Sequence, residues 1–69
     1  MSENVYVKLT LKAARVNVGL TQNEAAKKLG ISKRTLINWE QGVTFPDVSQ
    51  VRLIEEAYGV KYDNIIFLQ

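Results

Sequence analysis

From Thr21 to Gly42 the chain reads TQNEAAKKLGISKRTLINWEQG, and its apolar residues fall at helical spacing in two short blocks. Ala25, Ala26 and Leu29 mark the buried face of the first block, and Leu36 and Trp39 mark the inner stripe of the second. Thr21 stands where a helix start needs a side-chain acceptor, and Glu24 three residues later completes a capping box. Gly30 closes the first block, since glycine best tolerates the left-handed backbone of a helix end. Ile31 plugs the turn, Ser32 caps the second block and Gly42 ends it. Trp39 keeps step with Leu36, which assigns it to the core and not to a base-stacking surface.

Before this pair the pattern fits two periods. Val5, Val7, Leu9 and Leu11 alternate with Tyr6, Lys8 and Thr10 as in a strand, yet Val7, Leu11, Ala14 and Val18 fit a helix equally well. The reading adopted is a loose polar start at Met1 to Asn4, an extended lead through about Leu9, and a helix capped by Thr10 that ends at Gly19. After Gly42, Val43 to Phe45 form a loop that stops at Pro46, which biases Phe45 away from helix. Asp47 caps another helix, with Gln50 at the capping-box position, Val51, Leu53, Ile54 and Ala57 facing inward, and Gly59 at its end. A last short helix would draw on Val60, Ile65 and Ile66, with Lys61 where a cap is wanted and Asp63 as the substitute. The β-rich run Ile65 to Leu68 could pair with the N-terminal lead as a short ribbon, or with its own copy across a dimer. The fold class is therefore all-α: a compact bundle of about five short helices, with room for a terminal β-ribbon, in one domain spanning residues 1–69.

Two helices joined by so short a turn must cross steeply, and Ala25 and Ala26 let their backbones approach: this is a helix-turn-helix. A glycine between two helical blocks is a weak signal alone. Here Arg15, Gly19-Leu20-Thr21-Gln22, Glu24, Ala26, Leu29-Gly30-Ile31-Ser32, Leu36, Trp39-Glu40, Gly42 and Pro46 all keep their spacing, over roughly Leu11 to Ile66. That run resembles the phage repressor and Cro-like (XRE-type) helix-turn-helix transcription regulators. The resemblance implies a lambda-repressor-like DNA-binding fold whose second motif helix enters the major groove. It further implies a repressor that binds double-stranded DNA as a homodimer on a pseudo-palindromic operator.

Composition narrows the chemistry. With no cysteine and no histidine there is neither thiolate nor imidazole, so no such catalytic triad can form and a metal site would need carboxylates alone. No cofactor, metal or small-molecule ligand is expected, nor an enzyme. The longest apolar run, at Ile65 to Leu68, is too short to span a bilayer and the first residues lack a signal peptide's pattern, so a cytoplasmic protein without a membrane partner is expected. Net charge is only +2, but it is unevenly spread. Residues 1–34 hold seven basic side chains against two acidic, a charge of +5, while residues 35–69 hold two against five, a charge of −3. One part of the surface can meet phosphates and another would repel them.

By the docking geometry of the family, the first two turns after Ser32 offer Lys33, Arg34, Thr35, Ile37 and Asn38 to DNA. Arg34 has the fork for guanine O6 and N7, Asn38 can pair with adenine N6 and N7, and Thr35 and Ile37 can touch a thymine methyl. Lys33 could serve a guanine or a phosphate, and phosphate is the reading adopted. Gln22 resembles the family glutamine whose amide holds a phosphate and braces the recognition helix, and Thr21, Gln41 and Thr44 are further backbone contacts. Arg15 resembles the arginine that pairs with a glutamate at the end of that helix, here Glu40, as scaffold. The plain readings are a solvated helix face for the base readers, a cap for Thr21, turn residues for Gln41 and Thr44, and a surface arginine for Arg15. Among the remaining aromatics Tyr58, Tyr62 and Phe67, the C-terminal group Tyr62, Ile65, Ile66 and Phe67 is the expected self-association surface. An alternative within the resemblance is an antitoxin-like interaction module that also binds DNA, although a toxin-wrapping extension is missing from this sequence.

Overall fold

The computed structural model describes residues 8–67. In chain order it has β1 (Leu9–Thr10), α1 (Leu11–Asn17), α2 (Gln22–Leu29), α3 (Lys33–Gln41), α4 (Val48–Tyr58), one 3-10 turn (Tyr62–Asn64) and β2 (Ile65–Ile66). The expectations at Met1 to Val7 and at Leu68 lie outside the described residues.

Every α-helix starts on the cap its sequence specifies. Thr10 Oγ1 accepts from Ala13 N at 3.0 Å, and Ser32 Oγ accepts from Thr35 N at 3.1 Å. Thr21 with Glu24, and Asp47 with Gln50, close reciprocal capping boxes. The charge on Glu24 and Asp47 is therefore hydrogen-bonded to backbone N–H groups, which holds both carboxyls below their ordinary pKa. Gly30 and Gly42 end α2 and α3 with φ of 71° and 78°. At Gly30 this lets Ile31 N reach Ala26 O at 3.0 Å, and at Gly42 it lets Val43 N reach Asn38 O at 2.8 Å.

The core is built from Leu11 and Ala14 of α1, Ala25, Ala26 and Leu29 of α2, Leu36 and Trp39 of α3, Ile54 and Tyr58 of α4, and Ile65 of β2. Ala25 and Ala26 are both buried, and their small side chains let α2 pack closely on its neighbours. The mostly helical architecture is the one expected, with the terminal ribbon present as a parallel pair, Leu9↔Ile65 and Thr10↔Ile66, within one chain.

Four local expectations are corrected. The first helix stops at Asn17 with Val18 as its cap, and Gly19 (φ 77°) follows in the turn. The fifth helix is a single 3-10 turn with no side-chain cap, because Lys61 has no acceptor to offer and Asp63 lies inside the turn; Ile65 and Ile66 then leave it as a strand. On α4, Leu53 is exposed and Tyr58 takes the inward place, since Ile54 and Tyr58 lie one turn apart on the same face. Ile65, expected on a self-association surface, is core, because pairing with Leu9 turns its side chain inward.

Candidate nucleic-acid interface

The second motif helix is held by two others. Arg15 on α1 donates from Nε to Glu40 Oε2 at 2.7 Å and from Nη2 to Glu40 Oε1 at 3.4 Å. Its Nη1 donates to Leu20 O at 2.8 Å, tying in the segment before α2. Gln22 at the start of α2 donates from Nε2 to Glu40 Oε1 at 3.1 Å. Arg15 is 6% exposed and Glu40 8%, so the charges meet away from bulk water, where such a pair fixes geometry more than it adds stability. One carboxylate near the end of α3 thus joins α1, α2 and α3.

The start of α3 is open. Lys33 and Arg34 are exposed, while Thr35, Ile37 and Asn38 are half-buried. Ser32 Oγ also donates to Thr35 Oγ1 at 3.0 Å, so the Thr35 hydroxyl keeps its own proton to give. The carbonyl of Asn38 accepts from Val43 N and, at 3.4 Å, from Thr44 N, which anchors the loop after α3 and leaves the Asn38 side chain outside that bonding. These five residues share the first two turns of one helix.

Thr21, Gln41 and Thr44 are exposed, and Gln22 is half-buried. An amide NH₂ carries two protons, so Gln22 can brace Glu40 with one and keep the other for a ligand. A cleft of about 420 Å³ lies between α1, α2 and α3, lined by Lys12, Gln22, Ile37, Glu40 and Gln41. Lys12 belongs to no motif in the sequence. Its place three residues before Arg15 was the available signal, because i, i+3 neighbours share a helix face. The cleft combines one ammonium and two amides over an apolar floor, and Arg15 already neutralises the carboxylate beside it.

Of the C-terminal group, all but Ile65 reach the surface. Tyr62 and Ile66 are exposed, Phe67 is half-buried with its ring 5.7 Å from that of Tyr62, and Ile65 faces the core. Among the described residues no group of three or more Asp or Glu could hold a metal ion, and no helix is long and apolar enough to cross a membrane.

Comparison with known proteins places this geometry. The helix-turn-helix family pattern matches residues 11–65, which takes in all four α-helices. The chain is 38% identical over 56 residues to the HTH-type transcriptional regulator ImmR of Bacillus subtilis, a match covering 81% of this chain and 44% of ImmR. It is 36% identical over 63 residues to an uncharacterized HTH-type transcriptional regulator, MJ0272, of Methanocaldococcus jannaschii, covering 91% of this chain and 96% of that protein. The HTH-type transcriptional activator BcrR of Enterococcus faecalis is 27% identical over 56 residues, 81% of this chain and 28% of its own length. The chain thus spans less than half of ImmR but nearly all of MJ0272.

Proposed function

The chain belongs to the helix-turn-helix family of DNA-binding transcriptional regulators, not to a family of enzymes, and we propose that it is a sequence-specific repressor acting as a homodimer on a pseudo-palindromic operator. The observation that supports this most is the contrast between the two ends of α3. Its last turn is fixed by a buried arginine, a glutamate and a glutamine, and its first two turns present Lys33 and Arg34 exposed and Thr35, Ile37 and Asn38 half-exposed. A helix read in this way enters the major groove with its first turns against base edges.

In this reading Arg34, Thr35, Ile37 and Asn38 read bases, and Thr21, Gln22, Lys33, Gln41 and Thr44 hold the flanking backbone. Lys12 joins them, because it shares the cleft with Gln22 and Gln41. Arg15 and Glu40 are scaffold. Residues 1–69 act as one DNA-binding domain in the cytoplasm, and repression needs nothing beyond occupancy of a promoter by the bound pair.

Selection of bound sequences from a pool of random duplexes tests the reading. The expected product is an inverted repeat whose half-sites are centred about one helical turn apart. Recovery of no enriched sequence would remove the claim of sequence specificity, and recovery of a single unrepeated site would remove the dimer.

A further inference from the structure

One buried polar atom has no partner. Among the described residues, the Tyr58 hydroxyl is the only buried side-chain oxygen or nitrogen without a hydrogen bond. Tyr58 is the last residue of α4, is 1% exposed and shares the core with Leu36 and Trp39 of α3. A phenylalanine would fill the same space without burying an O–H. An unmet buried donor carries a desolvation cost, and native folds rarely keep one without a use. The hydroxyl lies within the field of the ion pair at the end of α3: burial raises its pKa, the Glu40 charge raises it further, and Arg15 opposes both.

The Glu40 carboxylate has room for that donor. Its Oε2 accepts only from Arg15 Nε, at 2.7 Å, and a carboxylate oxygen has two lone pairs to offer. Its Oε1 accepts from Gln22 Nε2 at 3.1 Å and from Arg15 Nη2 at a longer 3.4 Å. The bond from Gln22 is the one open to competition. Gln22 is half-buried and lines the cleft with Lys12 and Gln41, where a phosphate oxygen would attract its amide protons. An amide drawn outward leaves Oε1 with the 3.4 Å contact alone, on a residue that is 8% exposed. A buried acceptor short of a donor then sits near a buried donor short of an acceptor, and one bond satisfies both.

We propose that Tyr58 is the reserve donor of the Glu40 carboxylate, a positioning residue whose hydroxyl takes over when a DNA phosphate draws the Gln22 amide away. The proton stays on Tyr58 and only its direction changes. The last turn of α3 remains tied to α1 through Arg15 and gains a tie to α4, so Gln22 can commit to the backbone without loosening the helix that reads bases. This deepens the DNA-binding reading above and rests on the phosphate role it gives Gln22.

The free chain tests the bond and a duplex tests the exchange. Gln22→Ala reproduces the withdrawal without DNA. In urea melts, Tyr58→Phe alone should leave the folding constant at or above that of wild type. In the Gln22→Ala background the same change should lower it about tenfold, the loss of a hydrogen bond to a charged group. Ultraviolet resonance Raman adds a signature that packing does not move. The Tyr58 doublet, isolated by subtracting the spectrum of Tyr58→Phe, should take the form of a strong hydrogen-bond donor in Gln22→Ala, and in wild type once a mixed-sequence duplex is added at low salt. Binding of that duplex should weaken about fivefold in Tyr58→Phe, yet by less than about twofold when Gln22→Ala is already present, because no bond is then exchanged. Tyr58→Phe as harmless in Gln22→Ala as in wild type overturns the proposal, since water then serves the carboxylate. So does a doublet that the duplex leaves unchanged. If Gln22→Ala does not fold, the wild-type spectra with and without the duplex decide alone. A chain that binds no duplex strikes the DNA-binding reading itself, and the melts of the free chain still decide whether Tyr58 serves Glu40.

Discussion

Removing the Glu40 carboxylate tests whether the network behind α3 is structural. In Glu40→Ala the Arg15 guanidinium loses its contacts at 2.7 and 3.4 Å, and Gln22 Nε2 loses its acceptor at 3.1 Å. Only the bond from Nη1 to Leu20 O remains to a cation that is 6% exposed. Stranding one partner of a buried pair costs about 3–5 kcal/mol. A domain of this length has a total stability of roughly 3.5–10 kcal/mol. The single variant should therefore lose from about a third to nearly all of its stability, and its urea transition should move well toward zero denaturant. The double variant Arg15→Met with Glu40→Leu removes both charges together, and its stability should lie well above that of Glu40→Ala. Gln22 is half-buried, so water can replace its lost acceptor in either variant. Urea melts followed by far-ultraviolet circular dichroism measure all three proteins. If Glu40→Ala melts within about half a kcal/mol of wild type, or the double variant is no more stable than the single one, the pair is not a buried scaffold.

The readers and holders of DNA should separate in competition titrations run at several salt concentrations. Arg34→Ala should lose about 1–3 kcal/mol on the selected site and relax one base pair in each half-site. Lys33→Ala and Lys12→Ala should weaken selected and scrambled duplexes alike and make the salt slope shallower by about one unit per subunit each. If Arg34→Ala weakens both duplexes equally, base reading passes to Asn38 and Thr35. Tyr58 buries its hydroxyl without a hydrogen-bond partner among the described residues, so Tyr58→Phe should melt at or above wild type at neutral pH. Burial, then the charge on Glu40, pushes the Tyr58 pKa up from 10.0 to about 12, and its neutral form is the folded one. The stability this contributes is complete below pH 10.0 and lost as pH rises to about 12; urea melts across that range should show the loss in wild type and not in Tyr58→Phe. At the acid end the depressed pKa values of Glu24 and Asp47 act with the opposite sign. Their capping bonds contribute fully above the ordinary values of 4.5 and 3.8 and are lost as pH falls further, so Glu24→Gln should flatten the acid limb of thermal melts.

Much of this molecule is written in short-range spacing. Thr21 with Glu24, Asp47 with Gln50, and glycines at the ends of α2, α3 and α4 determine where helices start and stop, because a cap and its partner lie within a turn of each other. The inner stripe of α3 follows from Leu36 and Trp39 for the same reason: residues three or four apart share a face whatever the rest of the chain does. The sequence could also list the polar residues at the start of α3, since a helix that buries Leu36 and Trp39 must turn its other side outward.

Distant contacts decided the rest. Periodicity on α4 admits either Leu53 or Tyr58 beside Ile54, and only the packing of the core assigns the place to Tyr58. Ile65 reads as part of an apolar tail until its pairing with Leu9, from the other end of the chain, makes it core and exposes Ile66. Arg15 reaches Glu40 across 25 residues, a pairing that the residues suggest only through likeness to a family and that the packing of α1 on α3 brings within 2.7 Å. Lys12 gains its cleft only when separate elements meet. Spacing along the chain carries interactions within a turn or two, whereas the choice among apolar residues for one core, and of which charged groups become neighbours, depends on excluded volume in three dimensions.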